Sequence, residues 1–176
     1  MVFTQTPLLG AFVIQLQPKL DQRGFFARGW CARQFADHRL VSEIAQFNIS
    51  YSSRKSTLRG MHYQSAPYEE VKVVGCVRGA LHDVIIDLRK DSATYRQTFA
   101  VELSAANHKM VYVPSGFAHG FETLEDETEA LYLVSTFYTP AAERGVRYDD
   151  PAFKIDWPLP VLVISERDAR WPPYTG

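Results

Sequence analysis

Arg59 and His62 stand three residues apart in the run Arg59-Gly60-Met61-His62-Tyr63-Gln64, a fixed cation and a titratable imidazole in an apolar, strand-prone context. Histidine is the side chain best matched to proton transfer near neutral pH. Two later segments complete that chemistry. Pro114 to Phe121 carries His119, and Ser165-Glu166-Arg167-Asp168 supplies Asp168, a carboxylate able to hold the His62 imidazole in one tautomer. Alone, His62 reads more readily as a half-buried strand histidine bonded to a neighbour. Its flanks argue otherwise, because Arg59, Tyr63 and Gln64 put several polar groups beside a β core, which is costly unless they converge on something. Gly60 is expected to let the backbone approach a ligand closely.

Lys72 sits among Val71, Val73 and Val74. An outward or edge lysine fits that setting as well as an inward ammonium that stabilises developing negative charge. Tyr132, in Leu131-Tyr132-Leu133, fits either a plain core aromatic or a phenol positioned as a proton donor. Periodicity decides neither.

The elements that must position these groups are strands. Ala11 to Gln17, Phe47 to Tyr51, Phe99 to Leu103, Met110 to Val113, Ala130 to Tyr138 and Val161 to Ile164 are β-prone runs, many closed by turn residues. Val71 to Val77 and Ala80 to Leu88 are separated by Arg78-Gly79, which predicts a tight hairpin. Helical period is confined to Trp30 to His38, where Cys31, Phe35 and Leu40 line one side. Many short strands with turn signals every ten residues or so predict an all-β sandwich or barrel, with a less regular C-terminal tail.

A chain of 176 residues with 46% hydrophobic and 13% aromatic residues fits one domain with a substantial core. The net charge of −1 gives no global field for nucleic acid or a membrane, so an anionic substrate must meet a local cluster of Arg, Lys and His. Cys31 and Cys76 form no CxxC pair, and free thiols suit a reducing cytosol. Leu8 to Leu16 is too short and interrupted to span a bilayer and lacks the marks of a signal peptide. The expectation is a soluble, cytoplasmic protein.

Pro114-Ser115-Gly116-Phe117-Ala118-His119 matches the PxGxxH half-motif of the cupin superfamily. Metal-binding cupins add an HxH pair, which Tyr63 and Gln64 break here; His82 with Glu69 or Glu70 fits no common ligand spacing. A metal-free cupin jelly roll is expected. Further motifs extend the match: Asp21 to Phe26, Gln46 to Ser50, Val77-Arg78-Gly79, Asp83 to Lys90, Val101 to Ser104, Glu143-Arg144-Gly145, Tyr148 to Pro151 and Ile155 to Pro158. With Arg59 to Gln64 and Ser165 to Asp168 they make the chain resemble the dTDP-4-dehydrorhamnose 3,5-epimerase family from about Gly24 to Trp171.

That resemblance implies a single cupin-like epimerase domain over 1–176 that inverts carbons flanking the C4 ketone of a nucleotide-linked 4-keto-6-deoxyhexose, in deoxysugar biosynthesis, with no metal or other cofactor. It implies His62 as base, Asp168 as its orienter, Lys72 as enolate stabiliser and Tyr132 as acid. Arg59 and His119 match positions near the diphosphate. Arg23, Phe26, Gln46, Asn48 and Tyr138 match nucleotide positions. The family pattern also implies a homodimer with exchanged N-terminal strands, so that Arg23 and Phe26 serve the neighbouring site. Where that pattern has a glutamate this chain has Arg28, which places the nucleotide base in question and leaves open a single-centre epimerase acting on, for example, a CDP sugar. A metal-dependent cupin and a non-catalytic sugar-binding cupin are the competing classes.

Overall fold

Alternating polarity becomes strand after strand in the computed structural model, which describes residues 1–176. With strands numbered along the chain, the first sheet runs in space β1 (Val2–Gln5), β2 (Phe12–Gln15), β10 (Lys109–Val113), β7 (Lys72–Arg78), β12 (Thr128–Val134), β5 (Gln46–Ser52). The second runs β13 (Glu143–Gly145), β6 (Thr57–Gln64), β11 (Phe117–Thr123), β8 (Ala80–Asp87), β9 (Thr98–Ser104). The two-residue β14 (Val163–Ile164) adds to β6 in parallel. A small hairpin, β3 (Lys19–Asp21) with β4 (Gly24–Phe26), stands apart from both sheets. Helix is limited to α1 (Ala32–Asp37), α2 (Glu166–Ala169) and a single 3-10 turn at Pro140–Ala142. This is the all-β sandwich expected from the strand and turn spacing, in the jelly-roll form expected from the cupin half-motif.

The two sheets bury one core between them. Val74, Val111, Val113 and Ala130 of the first meet Leu81, Ile85, Leu103, Phe117 and Phe121 of the second. Each outer face has its own cover. Phe35 of α1, fully buried, packs on Ile14, Val73, Met110 and Tyr112 of the first sheet. The C-terminal segment lays Phe153, Ile155 and Trp157 over Met61, Val84 and Ile86 of the second.

The predicted hairpin at Arg78-Gly79 is not formed. β7 pairs with β10 and β12, whereas β8 pairs with β9 and β11 in the other sheet. Gly79 turns the corner between sheets at φ +73°, where a Cβ would meet Thr128 Oγ1 at 2.5 Å. The physical reason is burial on both faces. The middle of β7 and nearly all of β8 are covered on both sides, so each run bonds to two strands of its own sheet rather than to the other run. Two other predicted strands are shorter than their apolar runs: β12 ends at Val134, and only Val163–Ile164 forms near the C-terminus.

Candidate active site

A cavity of about 740 Å³ opens between the sheets and draws its polar lining from both. On the first sheet, register makes the choice. Gln46 lies opposite Val134, which lies opposite Lys72; one step along, Asn48 lies opposite Tyr132. Residues two apart on a strand share a face, so Gln46, Asn48, Lys72 and Tyr132 all enter the cavity. The residues between them on β5, Phe47 and Ile49, turn outward and are exposed. Lys72 is thus an inward ammonium, with its side chain 12% exposed.

On the second sheet Arg59 and His62 both line the cavity, although residues three apart on a regular strand face opposite ways. A bulge resolves the conflict. His62 pairs with His119 and Arg59 with Phe121, so three steps on β6 match two on β11. Gly60 makes this possible at φ +139°, where a Cβ would fall 2.6 Å from the Gly120 Cα. The close approach that Gly60 permits is therefore to a neighbouring strand rather than to a ligand.

His62 Nε2 lies 2.7 Å from Asp168 Oδ1. An ionised carboxylate can only accept, so Nε2 carries the proton and Nδ1 is left as the basic nitrogen. Ser165 caps α2 by accepting the Asp168 N–H at 3.1 Å, and the Gly60 N–H donates to Asp168 Oδ2 at 3.3 Å. Burial by itself would raise the Asp168 pKa. The bonds from His62, Gly60 and Ser165 outweigh it and hold the carboxyl below its usual range.

His119 has a partner of the same kind, with Nε2 2.8 Å from Oδ2 of the buried Asp83. Arg59 donates to Ser52 Oγ at 3.1 Å and to the Tyr51 carbonyl at 2.8 Å, which aims its guanidinium along the cavity wall. Tyr132 is pushed up in pKa mainly by burial, against a lowering by Arg59, so the phenol keeps its proton near neutrality. At the mouth, Tyr138 donates from its hydroxyl to Glu143 Oε2 at 2.8 Å, and Arg167 donates to the same oxygen at 2.8 Å. The Tyr138 N–H reaches Gln46 Oε1 at 2.6 Å.

Arg23, Phe26 and Arg28 lie outside this cavity, on or beside the β3–β4 hairpin. Arg23 is bonded to Asp21 and exposed, and Phe26 and Arg28 are exposed as well. Glu70, Glu143, Ser165 and Arg167 also line the site, although their types and spacing do not single them out. The same holds for Asp83, behind His119. Glu143, Asp83, Ser165 and Arg167 fall inside family motifs; nothing in the sequence distinguishes Glu70 from Glu69. His82 packs against Trp157, on the far side of its strand from Asp83, so it cannot join His62 and His119. No three His, Cys, Asp or Glu side chains are grouped to hold a metal.

An antiparallel sandwich whose inner faces set an aspartate-held imidazole against a lysine and a half-buried phenol defines a cupin-type protein with acid and base groups facing one cavity. Comparison narrows the class. The profile described as dTDP-4-dehydrorhamnose 3,5-epimerase matches residues 5–175. The dTDP-4-dehydrorhamnose 3,5-epimerase of Shigella flexneri is 41% identical over 160 residues, covering 89% of this chain and 87% of the relative. The Bacillus anthracis enzyme, solved with TDP and PPi bound, superposes with a TM-score of 0.95 at 35% identity, over 98% of this chain and 99% of that one. The Legionella pneumophila enzyme, solved with dTDP-4-keto-L-rhamnose, gives 0.91 at 31%, over 99% of both chains. The chain belongs to the dTDP-4-dehydrorhamnose 3,5-epimerase family, and it is an epimerase.

Proposed function

We propose that this protein inverts C3 and C5 of a dTDP-linked 4-keto-6-deoxyhexose, with His62 as base and Tyr132 as acid. The observation that carries the assignment is that His62 stands on the second sheet and Tyr132 on the first, facing one cavity. A sugar ring held between them meets the two groups on opposite faces. Inversion needs that opposition, since a residue returning its own proton to the same face would restore the starting centre. The C4 ketone acidifies the C–H bonds at C3 and C5. His62 Nδ1 takes one proton, the electron pair passes to the ketone oxygen as an enolate, and the Lys72 ammonium stabilises the new charge. Tyr132 then protonates the carbon from the other side, and solvent restores both residues before the second centre reacts.

Arg59 supplies a fixed positive charge for the diphosphate with His119 beside it, and Gln46, Asn48 and Tyr138 form the nucleotide end. The dTDP reading draws on the relatives solved with TDP and with dTDP-4-keto-L-rhamnose. In D2O, the product of complete turnover is expected to carry deuterium at both C3 and C5 by NMR. Label at one carbon only would reduce the activity to a single-centre epimerisation, and no label would remove the proton-transfer mechanism.

The reading includes a homodimer in which the β3–β4 hairpin brings Arg23, Phe26 and Arg28 to the partner's cavity. Two exposed apolar surfaces support it: Leu20, Phe25 and Phe26 on the hairpin, and Phe47, Ile49 and Tyr51 on the outer face of β5. Light scattering at micromolar concentration is expected to give twice the 20.0 kDa chain mass; a monomer would contradict the exchange. No helix is long and apolar enough to cross a membrane, and the free thiols of Cys31 and Cys76 suit a cytosolic setting.

A further inference from the structure

A strand fixes the Cα of Lys72 but not its ammonium, which rides on a flexible four-carbon stem. Something else must hold Nζ if its charge is to meet an oxyanion at one point in the cavity. Two acceptors do so. Glu70 Oε1 lies 3.1 Å from Nζ, and the His62 carbonyl accepts from it at 3.4 Å. Both partners of the Glu70–Lys72 pair are largely withdrawn from solvent, at 13% and 12% side-chain exposure. A buried ammonium without a counter-charge would be costly, which gives the carboxylate a reason to be there. Glu70 also lines the cavity with Tyr132, and its charge raises the phenol's pKa while Arg59 lowers it.

We propose that Glu70 is a positioning residue for epimerisation: it tethers the Lys72 ammonium so that one N–H goes to Glu70, one to the His62 carbonyl, and the third is left for the oxyanion at C4. The proposal rests on Lys72 as the enolate stabiliser. It gives the carboxylate two separable effects. As a tether it sets where the cation sits, which any acceptor of similar reach can imitate. As a charge it adds to burial in favouring the protonated phenol of Tyr132, which a neutral side chain in its place cannot do.

The test compares Glu70→Ala, Glu70→Gln, Lys72→Met and the double variant Glu70→Ala/Lys72→Met, reading kcat, KM and dTDP affinity. Glu70→Ala is expected to lower kcat by about 10- to 100-fold, the scale set by misplacing a reacting group by about an ångström, with KM and dTDP affinity little changed. Glu70→Gln keeps an acceptor oxygen and should recover most of that loss at neutral pH. Its missing charge makes Tyr132 easier to ionise, so the alkaline limb of kcat should move to lower pH. Arg59, His62, Lys72 and His119, the other titratable or charged groups around the phenol, and Glu143, Arg167 and Asp168 further along the cavity, are unchanged in that variant. In the double variant the Glu70→Ala loss should vanish, because there is no ammonium left to tether.

If Lys72→Met turns over like wild type, the role of Lys72 fails and the tether with it. If Lys72→Met is slow while Glu70→Ala matches wild type, the tether alone is overturned. Additive losses in the double variant, or a loss confined to KM, would also overturn it, since either makes Glu70 act independently of the ammonium.

Discussion

His62→Ala is expected to lower epimerisation by about 10²–10⁴-fold, the range for losing a positioned general base, while dTDP affinity stays within a few fold. The large effect follows from how completely the imidazole is prepared. Asp168 takes its Nε2–H at 2.7 Å, the bulge at Gly60 turns the ring inward, and no other residue lining the site presents an unoccupied imidazole nitrogen in the same place. His119 is held in the same way by Asp83, but it stands on the next strand, β11, and so does not take the place of the His62 ring. The small effect on binding is expected because the proposed nucleotide end, Gln46, Asn48 and Tyr138, does not include His62. Asp168→Asn should be less severe, since an amide can still orient the ring but can present either a donor or an acceptor to it. Stopped-flow turnover with parallel dTDP titration separates these effects. Near wild-type exchange of the proton beside the ketone in His62→Ala would remove the base assignment.

Tyr132→Phe should uncouple two events that are joined in the wild type. Deprotonation by His62 does not need the phenol, so the C–H proton should still exchange with solvent deuterium. Inversion does need it, because protonation from the opposite face loses its donor; a drop on the same scale of about 10²–10⁴-fold is expected. The substitution removes one oxygen and leaves the ring, so the packing of Tyr132 against the core persists. The comparison is between the rate of deuterium wash-in and the rate of product formation on one sample. If the two fall together, Tyr132 acts in binding or in the fold and the acid must be sought elsewhere.

Much of this site is legible in the sequence because residue types survive without coordinates. An imidazole, a late aspartate and a glycine in a strand can be read, and the run of Asn48, Lys72 and Tyr132 can be matched to a family. What cannot be read is direction. Strict alternation sets Arg59 and His62 on opposite faces, and only the bulge reconciles them; Gly60 within a strand pattern is the signal for it. Lys72 lies on a strand covered on both sides, so its apolar neighbours carry no facing information. The corner at Gly79 looks like a hairpin because turn residues encode a change of direction without encoding which strand comes next. Glu70, Asp83 and Glu143 escape notice for a related reason. Asp83 and Glu143 meet His119 and Arg167, partners with no fixed separation along a chain, while Glu70, only two residues from Lys72, is set apart from Glu69 by nothing but which of the two lines the cavity.

The bond between His62 and Asp168 spans 106 residues, and this has a consequence in time. β6, β7 and β12, which carry His62, Lys72 and Tyr132, all precede residue 168 in the chain. Until α2 arrives the imidazole has no carboxylate to select its tautomer, and it stands in a cavity whose mouth lacks Arg167. The element that brings Asp168 is a slight one, four residues of helix behind a two-residue strand. Until the C-terminal segment has crossed the outer face of the second sheet and docked, proton abstraction by His62 is expected to run more slowly, for want of the carboxylate that orients the ring.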